Sequence, residues 1–330
     1  MHVPARDPGL RKSHAGPLGG QPGVLGRTRS RLSPLTARAV RLTPVPGSPF
    51  PAGGFPVSVT VDPTGQFVYA ANVLSNDVSA YRIDQGTGAL TPISGSPFPA
   101  GLGAWSVAVD PTGQFAYVSN CGQPTCTDPN SPGTVSAYTI DPNTGALTPV
   151  PGSPFPAGAR SDGMTVDPTG RFVYVTNRSS NDISAFAIDA TTGALTPIAG
   201  SPFAAGVGAI WVAVDPTGQF AYVANCGSFC LGGADSPGSV SVYVIDSATG
   251  ALIEIAGSPF PCGISSAYVT IDWTGQFVYV GNRDSNDISA FALDATSGGL
   301  TPVPGSPFAA GSGPIGIATT AGPQPPAPLL

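Results

Sequence analysis

Acid–base, nucleophilic and metal chemistry need side chains that this sequence supplies sparingly. Histidine occurs only at His2 and His14, and the single glutamate is Glu254. No Ser-His-Asp or Cys-His nucleophile can be assembled within residues 42–330. Aspartate is the acid–base group that remains, with Asp162 and Asp284 as candidates. Beside them stand Arg160, Arg178 and Arg283. An arginine fork can clamp a carboxylate or a phosphate. The reading we favour for Arg178 and Arg283 is a solvated arginine paired with a nearby aspartate. Trp105, Trp211 and Tyr268 could stack on a sugar, but core packing is favoured for them.

The pairs Asn76-Asp77, Asn181-Asp182 and Asn286-Asp287 raise calcium as an idea. An Asx-turn explains them better, because no segment has the spaced carboxylates and bidentate Glu of a calcium loop. Neither a metal nor a cofactor is expected. Five cysteines include two local pairs, Cys121 with Cys126 and Cys226 with Cys230, leaving Cys262 over. A zinc site of four cysteines would need distant segments to meet. A disulfide within each pair is simpler and implies an oxidising compartment.

Charge separates two regions. Residues 1–41 carry eight basic residues against Asp7, whereas residues 42–330 carry five arginines and eighteen acids. The acidic body excludes nucleic-acid binding by phosphate neutralisation. Residues 1–41 read as a disordered basic tail, and 321–330 as a Pro-rich tail. No apolar run reaches the ~18 residues of a membrane span. None near the N-terminus forms the core of a signal peptide.

These residues must be positioned by a repeat. Gly-Ser-Pro-Phe begins at Gly47, Gly95, Gly152, Gly200, Gly257 and Gly305, at steps of 48, 57, 48, 57 and 48 residues. Asp-x-Thr-Gly-[Gln/Arg]-Phe recurs from Asp62, Asp110, Asp167, Asp215 and Asp272 with the same alternation. Each unit reads as four short strands. In the first unit these are Val57–Val61, Phe67–Ala71, Val78–Ile83 and Leu90–Ile93, followed by a crossover over Gly95–Gly101. Asp62-Pro63-Thr64-Gly65 carries the residues of a type I turn. Four-stranded units of this length, stacked face to face, make a β-propeller.

Residues 42–320 are therefore expected to form an all-β propeller of four-stranded antiparallel blades. Five blades are complete and one is partial, as in an incomplete six- or seven-bladed ring; closure at five blades is the alternative. Crossovers between blades and loops between second and third strands share one face. That face receives the insertions Cys121–Pro132 and Cys226–Pro237 of the long units, and Arg160, Asp162, Arg178, Arg283 and Asp284. Binding residues concentrate on such loops.

Tyr174-Val175-Thr176-Asn177 resembles the signature of the YVTN propeller repeat, with variants at Tyr69–Asn72, Tyr117–Asn120, Tyr222–Asn225 and Tyr279–Asn282. Together with the recurrent Thr-Gly-Ala-Leu-Thr-Pro and Gly-Ser-Pro-Phe, residues 42–319 resemble the seven-bladed lactonases, which include 6-phosphogluconolactonase-like and carboxymuconate-cyclase-like proteins. The resemblance implies lactone chemistry carried by His, Glu and Arg. The propeller offers no His and no Glu on the loop-rich face, since Glu254 falls on an outer strand. The expected function is thus binding of a small molecule, a sugar acid or lactone, or of a protein, in an extracytoplasmic setting. Lactone hydrolysis and a structural cell-surface repeat are the alternatives.

Overall fold

Residues 43–231 and 236–319 are described by the structure, a computed structural model. The two tails expected at 1–41 and 321–330 lie outside the described residues. Five antiparallel sheets follow one another along the chain: Pro56–Pro99, Ala104–Ala159, Ser161–Ala204, Ala209–Ile264 and Ser266–Ala309. They are blades 1 to 5 of a β-propeller. Within blade 1 the first strand, Pro56–Val61, pairs with Phe67–Asn72, which pairs with Asp77–Ile83.

Local chemistry accounts for the turns. In Asp62-Pro63-Thr64-Gly65, Gly65 N donates to Asp62 O at 2.9 Å. The Asp62 carboxylate accepts from Thr64 N at 3.0 Å and from Phe67 N at 2.6 Å. Asp110, Asp167, Asp215 and Asp272 cap their turns in the same way. These aspartates are committed to backbone donors and are structural.

The outer strand differs from expectation. Gly-Ser-Pro-Phe is not wholly a crossover; it interrupts the fourth strand. Leu90–Pro92 pairs with the end of the third strand, and Phe98–Pro99 then pairs with its start. Between them Gly95 is left-handed (φ 87°) and Ser96–Pro97 is cis. Ser96 Oγ fills the gap by accepting Ala80 N–H at 2.9 Å. The same serine bond recurs in every blade, so the motif replaces a missing ladder bond with a side chain.

Neighbouring blades are joined in two ways. Four apolar clusters each lie between two successive blades. Polar ties accompany them. Tyr69, Tyr117, Tyr174 and Tyr222 each donate from the hydroxyl to a glycine carbonyl of the following blade, at 2.8 to 3.3 Å. Asn76, Asn181 and Asn286 are left-handed, and their Oδ1 atoms accept from Gly103, Gly208 and Gly313 N–H at 2.7, 2.7 and 2.8 Å. This corrects the Asx-turn reading. The asparagine side chain reaches the segment after its own blade, because the crossover glycine needs an acceptor there. Asp77 ties instead to Asn72 Nδ2 at 2.7 Å.

Among the described residues, blades 1 and 5 do not pack on each other as successive blades do. Val59 of blade 1 is 69% exposed, while its counterparts Val107, Met164, Val212 and Val269 are 0 to 5% exposed. At the other end, Tyr279 lacks, among the described residues, the hydroxyl-to-glycine bond of its four counterparts and is half-buried.

Candidate functional site

Every first strand carries a β-bulge at its start. The register breaks at Val57, Trp105, Asp162-Gly163, Ile210 and Ala267. A bulge adds one unpaired residue and re-aims its side chain. The bulged Val57, Trp105, Ile210 and Ala267 accordingly line one cavity of about 430 Å³ at the loop-rich end of the axis, with Arg178 and Arg283. In blade 3 the break spans Asp162 and Gly163 against Thr176, again one residue in excess. It is permitted by Gly163, where a Cβ would lie 2.5 Å from Ile210 O and 2.7 Å from Trp211 Cα of blade 4.

The bulge places Asp162 beside Arg178, the residue that follows the last Asn of the second strand. Arg178 Nε lies 2.5 Å from Asp162 Oδ2. The guanidinium also sits over the Trp105 ring, 5.4 Å from its centroid. Asp162 is 0% and Arg178 7% exposed. The expectation of a solvated surface arginine is therefore wrong for Arg178. The bulges of blades 2 and 3 converge on it and remove it from water. Burial pushes the Asp162 carboxyl up to about 6, opposed by the charges of Arg178 and Arg160. Arg283 follows the expectation: it pairs with Asp284 at 3.1 Å, and the two side chains are 38% and 28% exposed. Hydrogen bonding from Arg283 holds the Asp284 carboxyl below its ordinary range.

Arg160 stands two residues before Asp162 in a left-handed conformation (φ 58°), shared by its counterparts Phe55 and Ser265. Glycine occupies that position in the long blades, as Gly103 and Gly208. The reason is steric. A Cβ at Gly103 would collide with Cys121 Sγ and the Gln123 carbonyl, and at Gly208 it would lie 2.7 Å from Cys226 Sγ. Long blades fill the space with an insertion and short blades fill it with a side chain. The expected disulfides Cys121–Cys126 and Cys226–Cys230 are both formed, and Cys262 is free. Cys121 and Cys126 pack on Val73 and Trp105, so the first bridge backs the wall of the site.

The structure thus gathers Arg160, Asp162 and Arg178 within blade 3 and puts Arg283 on the same cavity, with Asp284 behind it. Trp211 stacks on Tyr268 with centroids 4.5 Å apart, the inter-blade packing expected, and Trp211 also borders the cavity. Sequence reasoning missed Val57, Ile210, Ala267, Phe55 and Ser265. The available signal was the pairing of a glycine before the first strand with a long loop after the second. Glu254 lies on the outer strand of blade 4, accepting from Ser258 Oγ at 2.7 Å, and takes no part.

Repeated four-stranded blades around an axial, arginine-bearing cavity define a propeller with a loop-face site. The chain belongs to the family of seven-bladed β-propeller lactonases, whose model matches residues 50–105, 96–212 and 200–313. No curated protein matches it in sequence. Among solved structures it is similar to a periplasmic gluconolactonase from Pseudomonas aeruginosa, at 21% identity and a TM-score of 0.61, over 78% of this chain and 71% of that one. A functionally unknown protein from Desulfotomaculum acetoxidans gives 18% identity and a TM-score of 0.61, over 77% and 70% of the two chains. At these identities the likeness is one of fold.

Proposed function

We propose that the loop-rich face binds a small molecule of the sugar-acid or lactone class in the axial cavity. The observation that carries this reading is Arg178, held under Trp105 by Asp162 and opening on the cavity. An indole beside a fixed guanidinium offers a stacking face and a forked donor together. The gluconolactonase named among the similar structures makes this ligand class a natural first choice. The disulfides in both insertions support an oxidising, extracytoplasmic compartment.

A second reading is lactone hydrolysis, and one observation favours it. A buried carboxyl pushed up to about 6 lies in the range where a group both accepts and gives protons near neutrality. Against it, the cavity has no carboxyl or imidazole among its lining residues, and Asp162 is itself fully buried. Titration calorimetry with D-gluconate tests the first reading; hydrolysis of glucono-δ-lactone and 6-phosphogluconolactone, followed at constant pH, tests the second. We expect binding that Arg178→Ala abolishes, and no hydrolysis above the buffer rate. Turnover abolished in both Asp162→Asn and Arg178→Ala would make the protein a hydrolase.

A further inference from the structure

Arg178 also borders a second cavity, of about 300 Å³, that opens beside the insertion of blade 2. Trp105, Leu74, Thr125, Thr127 and Arg160 are among its other walls. Its lining contains two guanidinium groups and no carboxylate. Asp162 pairs with Arg178 and acts on Arg160 only through its charge, so the cluster of Arg160, Arg178 and Asp162 keeps an excess of one positive charge when all three are ionised. Charge withdrawn from water is costly unless a partner compensates it. Burial and the neighbouring Arg178 already lower the pKa of Arg160.

The donors are unused as well as in excess. Arg178 Nη2 and Arg160 Nε are buried with no hydrogen-bond partner among the described residues, as is the acceptor Asp162 Oδ1. Thr125 and Thr127 bring their hydroxyls to within 3.0 Å of each other on the insertion. Arg160 is clamped there by its own backbone, whose N–H donates to Ser131 O of the insertion at 3.0 Å. Its left-handed φ is shared by Phe55 and Ser265 of the other short blades, and Gly103 and Gly208 take the position in the long ones.

We infer that this vestibule is an anion seat: Arg160 and Arg178, with the threonine hydroxyls of the disulfide-backed insertion, take the carboxylate or phosphate head of a ligand whose body lies along Trp105. The inference rests on the reading of this face as a small-molecule site and adds where the ligand's charge goes. Carboxylate and phosphate share the chemistry of planar, forked recognition, and the probes separate them.

The test uses the full chain and its Arg160→Gly variant, in which the residue suits the local backbone. Inorganic phosphate and acetate probe the seat alone, D-gluconate and D-glucose 6-phosphate probe head and body together, and D-glucose probes the body. Calorimetry and Trp fluorescence read binding, and thermal unfolding reads the fold. Charged probes should bind the wild type at least tenfold more tightly than Arg160→Gly, with D-glucose unaffected and the variant melting no lower. A preference for phosphate over acetate, or the reverse, assigns the head. Equal binding of every anion by both proteins would overturn the seat and leave the axial-cavity reading standing. Arg160-dependent binding of inorganic phosphate without any affinity for D-glucose or D-gluconate would keep the seat and remove that reading. Absence of anion binding by the wild type would overturn the inference outright.

Discussion

Asp162 gives the sharpest prediction, because its burial works against its charge. The side chain is fully buried and its carboxyl is pushed up to about 6. An acid whose folded pKa exceeds its unfolded value binds a proton in the folded state first. Stability from this group therefore rises as pH falls from about 6 towards the ordinary carboxylate range, and is lost again as pH rises. Two pH units correspond to about 3 kcal/mol. The carboxylates of Asp84, Asp141, Asp189, Asp246, Asp272, Asp284 and Asp294 are shifted downwards, so their contributions fade only at lower pH. Asp162→Asn should abolish the slope between pH 4.5 and 6. Asparagine stands in for the protonated acid, so at pH 7.5 Asp162→Asn should be no less stable than wild type, and at most about 3 kcal/mol more stable. Urea unfolding of the two proteins at pH 4.5, 6 and 7.5 measures each value. If Asp162→Asn keeps the wild-type slope, or falls several kcal/mol below wild type at pH 7.5, burial is not what governs the Asp162 carboxyl.

Three further outcomes follow from the packing. Tyr174→Phe removes the 2.9 Å bond to Gly250 O and leaves a buried carbonyl unpaired, costing about 1–3 kcal/mol in urea unfolding, whereas Tyr279→Phe, with no such glycine partner, should change little; equal losses would contradict the role given to the inter-blade bond. Gly103→Ala should cost several times the ~1 kcal/mol of an ordinary left-handed alanine, because its Cβ meets the Cys121–Cys126 bridge, and reducing that bridge should recover part of the loss in thermal melts. Thiol titration without reductant should find about one thiol in denaturant, from Cys262, and a far slower reaction in native protein, since burial pushes that thiol up to about 12; five reactive thiols in denaturant would refute both bridges.

The blade is written in short-range chemistry along the chain. Asp-Pro-Thr-Gly closes its turn with bonds among residues at most five apart, so the four-stranded unit and its period were legible from composition and spacing. The cysteine pairs were legible for the same reason, being five and four residues apart within single loops. Lone Cys262 followed by count. Other features depend on groups far apart in the chain. Arg178 and Arg283 hold the same place in the repeat, yet one is buried and the other half-exposed. What separates them is Trp105 and the insertion from blade 2 on one side and a bulged Asp162 on the other, against an exposed Asp284 beside Arg283. A bulge shifts register by one residue and turns a strand position towards the axis, which alternation of residue types does not reveal. Asn76 likewise looked like local turn chemistry until Gly103 of the next crossover was brought against it. Side-chain identity fixed which groups were available, but only the stacking of successive blades decided which were dry, paired and facing the cavity, because desolvation and pairing are properties of the neighbours a fold supplies.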